Sequence, residues 1–312
     1  MELGYYPGCA LKAHATALEF GASTEALFEA LGVELKEVPD WNCCGASAGH
    51  MTNTALTRAL NVRNLALAEA AGLEEVLAPC PLCAKELALA RKEVTEDEEL
   101  LRSAEDACEM SYQGTSRPIS LIEFLWRNLD LIKGKLQEPL PDVKVACYYG
   151  CLHTRPPELM GFDDTEQPMT MDQVCEAIGL APVAWSHKTE CCGAGFTMSK
   201  ASIVNRLTGR ILSAAANAGA EAVVVSCPMC HANLDMRQAD AAKDAGVELH
   251  LPILYLSQAV GLAIGIEPDA LSLDTHFVDT TDLVARLRGG DEQSAVSHQI
   301  SASSPREAVA ES

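Results

Sequence analysis

The spacing of apolar and polar positions predicts strands that alternate with helices, twice along the chain. A short apolar run, Leu3 to Tyr6, is typical of a strand and leads to a Gly-Cys pair. Segments with helical periodicity, each closed by a glycine, follow at Thr24 to Gly32 and Asn53 to Ala71, and again at Met171 to Gly179 and Ala201 to Ala218. This alternation predicts an α/β fold with a mostly parallel sheet in each half.

The two halves also match residue by residue, which indicates an internal duplication. The segment Gly4 to Cys9 matches Ala146 to Cys151, and Leu27 to Gly32 matches Val174 to Gly179. We therefore predict two similar α/β units related by an approximate two-fold axis. The expected ranges are a first domain at 1–140, a second domain at 141–270, and a C-terminal extension at 271–312 that is disordered toward its end. The boundary is expected within Gln137 to Asp142.

Composition narrows the classes of protein that fit. Hydrophobic residues make up 48% of the 312 residues, as in a globular protein, and the formal net charge is −21. Such a charge argues against nucleic acid and anionic membranes as partners. Met1 is followed directly by Glu2 and a strand-like run, so we expect no secretory leader, and Ile253 to Ile266 is too short and interrupted to span a bilayer. We expect a cytoplasmic protein in a reducing compartment.

Ten of the thirteen cysteines form two copies of one pattern. Each copy has a single cysteine, a Cys-Cys-Gly segment, and a Cys-Pro-x-Cys segment. The first copy consists of Cys9, Cys43, Cys44, Cys80 and Cys83, and the second of Cys151, Cys191, Cys192, Cys227 and Cys230. In each copy the single cysteine and the Cys-Pro-x-Cys segment follow predicted strands, and functional groups of α/β sheets collect at the carboxyl ends of strands. The proline of the Cys-Pro-x-Cys segment is suited to the first turn of a helix. The pattern predicts one soft-metal or iron–sulfur centre in each unit.

Two kinds of centre compete at this point. A structural zinc site uses four ligands and gives no reason for adjacent cysteines, whereas each unit offers five thiols. A cubane iron–sulfur cluster also uses four thiolates, so the fifth sulfur indicates an unusual cluster or a free thiolate beside it. Zinc remains the minor alternative.

The repeated pattern resembles the cysteine-rich CCG domain in tandem and, without an attached ferredoxin domain, the catalytic B subunit of heterodisulfide reductase. The similarity covers roughly residues 1 to 270. The resemblance implies two non-cubane [4Fe–4S] clusters, each held by the five cysteines of one copy. It also implies that the two clusters cleave or form a disulfide by one-electron steps, which makes the chain an oxidoreductase acting on a sulfur group.

The resemblance implies partners as well. In heterodisulfide reductases a small iron–sulfur C subunit supplies electrons and is itself fed by a flavin-containing A subunit. The same tandem motif occurs in electron-relay subunits of lactate or glycolate oxidation and of thiol-driven fumarate reduction, and this remains the alternative function. The sequence leaves open which disulfide or thiol is the substrate and in which direction the reaction runs.

The remaining candidates lie outside the cysteine pattern. Basic side chains near the second copy, which would bind an anionic substrate or relay protons, are His153, Arg155, His187 and His231. His50 and Trp41 are weaker candidates in the first unit. Cys147 and Cys175 are interpreted as small core residues, and Cys108 as incidental.

Overall fold

The computed structural model describes residues 1–12, 15–46, 49–136 and 139–289. Part of the expected domain boundary and the tail from residue 290 lie outside these ranges. The strands are β1 (Glu2–Tyr5), β2 (Glu34–Glu37), β3 (Glu75–Leu77), β4 (Arg117–Ile119), β5 (Lys144–Tyr148), β6 (Ala181–Pro182), β7 (Ala222–Val225) and β8 (Ile253–Tyr255). The helices are α1 (Gly8–Leu11), α2 (Leu18–Leu31), α3 (Gly49–Thr52), α4 (Thr54–Ala70), α5 (Pro81–Glu96), α6 (Glu98–Cys108), α7 (Leu121–Arg127), α8 (Leu129–Lys133), α9 (Thr170–Ala177), α10 (Ala201–Asn217), α11 (Pro228–Met236), α12 (Gln238–Ala245), α13 (Leu256–Ala263) and α14 (Thr281–Leu287).

Each unit contains a four-stranded, fully parallel sheet, and the two sheets have the same topology. The strand order is β2-β1-β3-β4 in the first unit and β6-β5-β7-β8 in the second. From β1 the chain adds β2 on one side, and then adds β3 and β4 on the other side. The order in which strands are added therefore reverses between β1 and β3, and in the same way between β5 and β7. Ligands of open α/β sheets bind at such switch points, outside the carboxyl ends of the strands. The predicted fold class, two duplicated Rossmann-like units, is confirmed.

Glycines and prolines end and begin the helices where the sequence predicts. Gly32 directly follows α2 with a φ angle of 74°, and Gly179 lies two residues after the end of α9 with a φ angle of 97°. Glycine adopts this conformation without steric cost. Pro81 and Pro228 occupy the first turns of α5 and α11. The start of α2 differs from the prediction: the helix begins at Leu18, six residues before Thr24, because the buried Phe20 and Gly21 pack as part of it.

The two units pack through reciprocal helix contacts. Helix α2 of the first unit contacts α13 of the second, and α9 of the second unit contacts α7 of the first. In the repeat, α9 is the counterpart of α2, and α7 the counterpart of α13, so the contacts are those of an approximate two-fold axis. Ser23 Oγ and Ser257 Oγ lie 2.7 Å apart in the first contact, and Trp126 Nε1 donates to Gln173 Oε1 at 2.6 Å in the second.

The chain that follows α13 is folded as far as residue 289 and packs onto the second unit, and the turn Pro268–Leu271 also contacts α2 of the first unit. Leu271 and Leu283 are buried there. The carboxylate of Asp235, on α11, accepts hydrogen bonds from the backbone N–H groups of Phe277 and Val278 at 2.7 and 3.0 Å. The start of the expected C-terminal extension is therefore part of the folded second unit.

Candidate metal centres

The first five-cysteine group converges at the carboxyl ends of β1 and β3. Cys9 follows β1 and Cys80 follows β3, so the switch point brings these two distant positions together. Cys43 Sγ lies 3.8 Å from Cys9 Sγ, and Cys44 Sγ lies 3.5 Å from Cys83 Sγ. Cys80 and Cys83 also interact directly. One site therefore collects thiols from three separate segments of the chain.

The second group repeats this arrangement at the ends of β5 and β7. The thiol of Cys151 donates to that of Cys191, and the thiol of Cys230 interacts with both Cys192 and Cys227. All thirteen cysteines of the chain are free thiols in the structure. The fold thus brings the five cysteines of each predicted group close to one another.

Both sites have a buried side and an open side. Cys44, Cys80 and Cys83 are buried in the first site, whereas Cys9 and Cys43 are exposed. In the second site Cys192, Cys227 and Cys230 are buried, Cys151 is intermediate and Cys191 is exposed. Each group of thiols is therefore anchored in the core while at least one of its sulfurs faces solvent.

Two glycines leave room for the sulfurs. Gly8 and Gly150 stand before Cys9 and Cys151 with φ angles of 64° and 65°. A Cβ atom on Gly8 would lie 2.9 Å from Cys83 Sγ, and one on Gly150 would lie 3.0 Å from Cys230 Sγ. Sulfur and carbon do not approach this closely without displacement, so each site depends on a missing side chain at this position.

Two matched tyrosines hold the Cys-Cys-Gly segments in place. Tyr6 Oη donates to the carbonyl of Asn42 at 2.7 Å, and Tyr148 Oη donates to that of Glu190 at 2.6 Å. Each acceptor is the residue directly before a vicinal cysteine pair. Sequence reasoning places these tyrosines at matching positions of the repeat but assigns them no role, and their common position was the signal that could have revealed one.

The thiols differ widely in acidity before any metal is bound. The hydrogen bond from Cys151 lowers the pKa of Cys191 to about 6, although partial burial opposes the shift. Partial burial and the neighbouring Cys43 raise the pKa of Cys9 to about 11. Partial burial raises the pKa of both thiols, so the hydrogen bond that Cys191 accepts accounts for the difference.

We therefore expect Cys191 to be the faster of the two to react in metal-free protein. At pH 7 its thiolate fraction is about 0.9, against about 10⁻⁴ for Cys9. A thiolate of low pKa is a weaker nucleophile, but this offsets only part of the advantage that Cys191 gains from its larger thiolate fraction. Iodoacetamide labelling followed by peptide mass spectrometry should show Cys191 modified at least ~10-fold faster. Its rate should fall below about pH 6. Equal rates at pH 7 would contradict the assigned hydrogen bond.

The predicted substrate residues lie in different environments. His153 is fully buried, its Nε2 atom lies 3.0 Å from the Ser226 carbonyl, and burial lowers its pKa to about 4. His231 is also buried, lies 3.2 Å from the Ile253 carbonyl, and stacks on Tyr255 with ring centroids 4.2 Å apart. These two neutral imidazoles pack the interior beside the second site and offer no surface to an anionic substrate.

Arg155 and His187 lie nearer the surface but are engaged with the protein. Arg155 donates to the Thr189 carbonyl at 3.1 Å and to Glu166 at 2.8 Å, which ties two loops together ahead of Cys191. His187 Nδ1 lies 2.8 Å from the hydroxyl of Ser186.

The weaker candidates are also engaged. In the first unit His50 Nδ1 lies 3.6 Å from Glu86 Oε1 and Trp41 Nε1 donates to Glu37 at 2.7 Å. Of the three remaining cysteines, Cys147 and Cys175 are fully buried with their sulfurs 3.7 Å apart. Cys108 is partly buried, on the last turn of α6.

The repeated site also corresponds to a known domain. The model of the cysteine-rich domain called CCG matches residues 3–88 and 145–235, which contain all ten patterned cysteines. This chain belongs to the CCG family. Both CCG domains fall on the two units described above, so the tandem arrangement that the sequence indicates is confirmed.

Similar proteins of known name are subunits of reductases. The 8-methylmenaquinol:fumarate reductase membrane anchor subunit of Wolinella succinogenes is 37% identical over 283 residues, which cover 90% of this chain and 99% of that protein. The B subunit of the ferredoxin:CoB-CoM heterodisulfide reductase of Methanosarcina mazei is 30% identical over 295 residues, which cover 92% and 97% of the two chains. The predicted relationship to the B subunits of heterodisulfide reductases is confirmed, and an iron–sulfur electron-transfer role is supported.

A solved structure shares the fold of the CCG protein. A hypothetical protein from Helicobacter pylori superimposes with a TM-score of 0.72 at 16% sequence identity. The match covers 89% of this chain and 52% of that one, so the CCG protein spans about half the length of the solved structure. Within the described ranges, no helix combines the length and the apolar character that crossing a membrane requires.

Proposed function

We propose that this protein is the catalytic iron–sulfur subunit of a heterodisulfide reductase-like complex, with a non-cubane [4Fe–4S] cluster in each CCG domain. The observation that carries the proposal is the shape of the two sites: five thiols converge in each, and each has an exposed sulfur at its edge. A centre that binds a substrate sulfur needs an open edge. A centre that only relays electrons does not.

The residues present fit such clusters. The donor set at each site is sulfur from five cysteines, a soft set suited to iron–sulfur cores, and Gly8 and Gly150 keep side chains away from the sulfurs. Cys9, Cys43, Cys44, Cys80 and Cys83 would hold the first cluster, and Cys151, Cys191, Cys192, Cys227 and Cys230 the second. When bound, such clusters supply electrons one at a time.

The protein contributes orientation and charge balance. The hydrogen bond from Cys83 and the backbone N–H groups at the start of α5 lower the pKa of Cys80. Helix α11 begins in the same way at the second Cys-Pro-x-Cys segment. Tyr6 and Tyr148 hold the vicinal pairs in position. The overall reaction, R–S–S–R′ + 2 e⁻ + 2 H⁺ → R–SH + R′–SH, requires two electrons, and two sites in one chain can each receive one sulfur.

The location and partners follow from the same chemistry. Thirteen free thiols suit a reducing compartment, so we propose a cytoplasmic protein. The electrons would come from a small iron–sulfur subunit of the C type and a flavin-containing subunit of the A type. The formal charge of −21 disfavours nucleic acid as a further partner.

The relative from Wolinella succinogenes favours a second candidate function. Its 37% identity over nearly its whole length exceeds that of the heterodisulfide reductase relative described above. In that case the protein would relay electrons within a fumarate reductase complex, and no thiol would bind at the two sites. The alternative differs from the first proposal in what contacts the exposed sulfur edges.

Thiol and disulfide binding distinguish the two functions. In anaerobically purified, oxidised protein, a substrate-type thiol is expected to change the paramagnetic spectrum if its sulfur binds at an open edge. Cys191→Ser and Cys43→Ser should each abolish disulfide reduction with an artificial one-electron donor, and Cys108→Ser, on α6, is the matched control that should retain it. A spectrum unchanged by every thiol and disulfide tried would favour the relay.

A further inference from the structure

The two cysteine sites differ at one matched position close to the sulfurs. Three residues after the last cysteine of each group, the first unit has Glu86 and the second has Asn233. Both side chains are buried, with exposed fractions of 5% and 0%. Both lie on the helix that begins at the Cys-Pro-x-Cys segment. The repeat thus places a carboxylate in the first unit and a neutral amide in the second at equivalent positions.

Asn233 donates a hydrogen bond to a ligand sulfur. Its Nδ2 atom lies 3.4 Å from Cys192 Sγ and 3.4 Å from the Cys192 carbonyl, while its Oδ1 atom accepts from Thr197 Oγ1 at 3.0 Å. Rotating the amide by 180° would direct its oxygen toward two acceptors, so the amide nitrogen belongs on the sulfur side.

Glu86 places a buried carboxylate beside the first site, and the adjacent Lys85 ammonium offsets part of its charge. Its Oε1 atom pairs with Lys85 Nζ at 2.8 Å and lies 3.6 Å from His50 Nδ1. The Cys44 carbonyl, which corresponds to that of Cys192, accepts instead from Asn61 Nδ2 at 2.8 Å. Cys83 Sγ lies 3.5 Å from Cys44 Sγ, and Glu86 follows Cys83 by three residues on α5, so the two side chains share one face of the helix.

The backbone donors near the sites do not create this asymmetry, because they are matched between the two units. Backbone N–H groups donate to matched sulfurs in both units, from Gly45 to Cys43 at 3.5 Å and from Gly193 to Cys191 at 3.3 Å. Glu190, which precedes Cys191, is exposed, so solvent and salt screen its charge far more than that of the buried Glu86.

Hydrogen bonds to sulfur and nearby charges set the reduction potential of an iron–sulfur centre. Reduction adds negative charge, which a donor to sulfur stabilises and a buried carboxylate destabilises. We propose that Asn233 and Glu86 give the second site a higher reduction potential than the first, so that a single electron delivered to the protein resides at the second site. This inference rests on the proposed function, because it requires a cluster in each CCG domain.

A redox titration of the intact, anaerobically prepared protein, followed by paramagnetic resonance, tests the inference. The wild type should show two separate midpoint potentials. Asn233→Asp keeps the size of the side chain and removes the donor, and should lower the higher potential. Glu86→Gln should raise the lower one. Each shift should change the ratio of oxidised to reduced centre roughly tenfold at a fixed ambient potential, which is about 59 mV for one electron.

Controls separate this inference from the proposed function. Asn217→Asp makes the same substitution at an exposed position at the end of α10, about 24 Å along the helix from its start, and should move neither potential. Asn233→Ala removes the donor without adding charge and replaces Asn233→Asp if that variant loses iron. Glu86→Gln decides the matter if both Asn233 variants lose iron.

The outcomes against the inference are distinct from those against the function. Iron analysis that finds no cluster in the wild type would overturn the proposed function itself. Clusters that are present but titrate together, or that keep their potentials in the variants, would overturn this inference alone.

Discussion

Replacing Gly8 by alanine is expected to remove about half of the iron bound by the purified protein, because one of two sites would be lost. The new Cβ atom would lie 2.9 Å from Cys83 Sγ, in a backbone conformation with φ of 64° that alanine rarely adopts. Cys83 is buried and its sulfur has little room to retreat. Iron and acid-labile sulfide, measured per chain after anaerobic purification, give the result directly.

Gly32→Ala is the matched control for this experiment. Gly32 lies in the same unit with a similar φ of 74°, but no heavy atom lies within 4 Å of the Cβ position. This variant should keep its iron and lose only about 1–2 kcal/mol of stability from backbone strain. If Gly32→Ala loses as much iron as Gly8→Ala, strain alone accounts for the loss. If Gly8→Ala keeps all of its iron, the contact with sulfur has no bearing on the cluster.

Replacing Lys188 by methionine is expected to destabilise the protein by about 3–5 kcal/mol, because it leaves a buried carboxylate without its positively charged partner. Lys188 Nζ pairs with Asp172 Oδ1 at 2.7 Å, and both residues are at most 5% exposed. The Lys188 carbonyl accepts hydrogen bonds from the backbone N–H groups of Tyr149 and Gly150 at 2.9 and 3.0 Å. The pair therefore supports the chain that leads into Cys151, and anaerobic urea unfolding followed by circular dichroism measures the loss.

Two further variants identify the origin of this effect. Lys92→Met breaks an exposed pair with Glu96, four residues along α5, and should cost at most about 0.5 kcal/mol. The double variant Lys188→Met with Asp172→Asn removes the uncompensated charge and should recover part of the stability. A loss for Lys188→Met no larger than that for Lys92→Met would show that the buried pair contributes little.

Much of the fold could be predicted because its signals are local. Glycines at helix ends, prolines at the start of α5 and α11, and the alternation of strand with helix each specify structure from neighbouring residues. Because the chain is duplicated, each of these sequence signals occurs twice. The start of α2 was harder to predict, because Phe20 and Ser23 in its first turns are buried through contacts with Tyr255 and Ser257 of the second unit, which are distant in the sequence.

The cysteine groups could be predicted from spacing, but their surroundings could not. His153 and His231 are near the second site in sequence, yet the fold turns both rings into the interior, where they bond to backbone carbonyls. Conversely, Glu86 and Asn233 carry no motif and become notable only when the repeat brings them to the same place beside matched sulfurs. Such contacts depend on tertiary packing, which composition and periodicity do not encode.

The most direct test of the account is the metal content of anaerobically purified protein. Ten thiols arranged in two groups of five predict about eight iron and about eight acid-labile sulfide per chain, as two clusters of four. Removing one group, through Cys9→Ser together with Cys83→Ser, should leave about half of each, and the same changes at Cys151 and Cys230 should do likewise. Two zinc ions per chain and no sulfide would contradict the account.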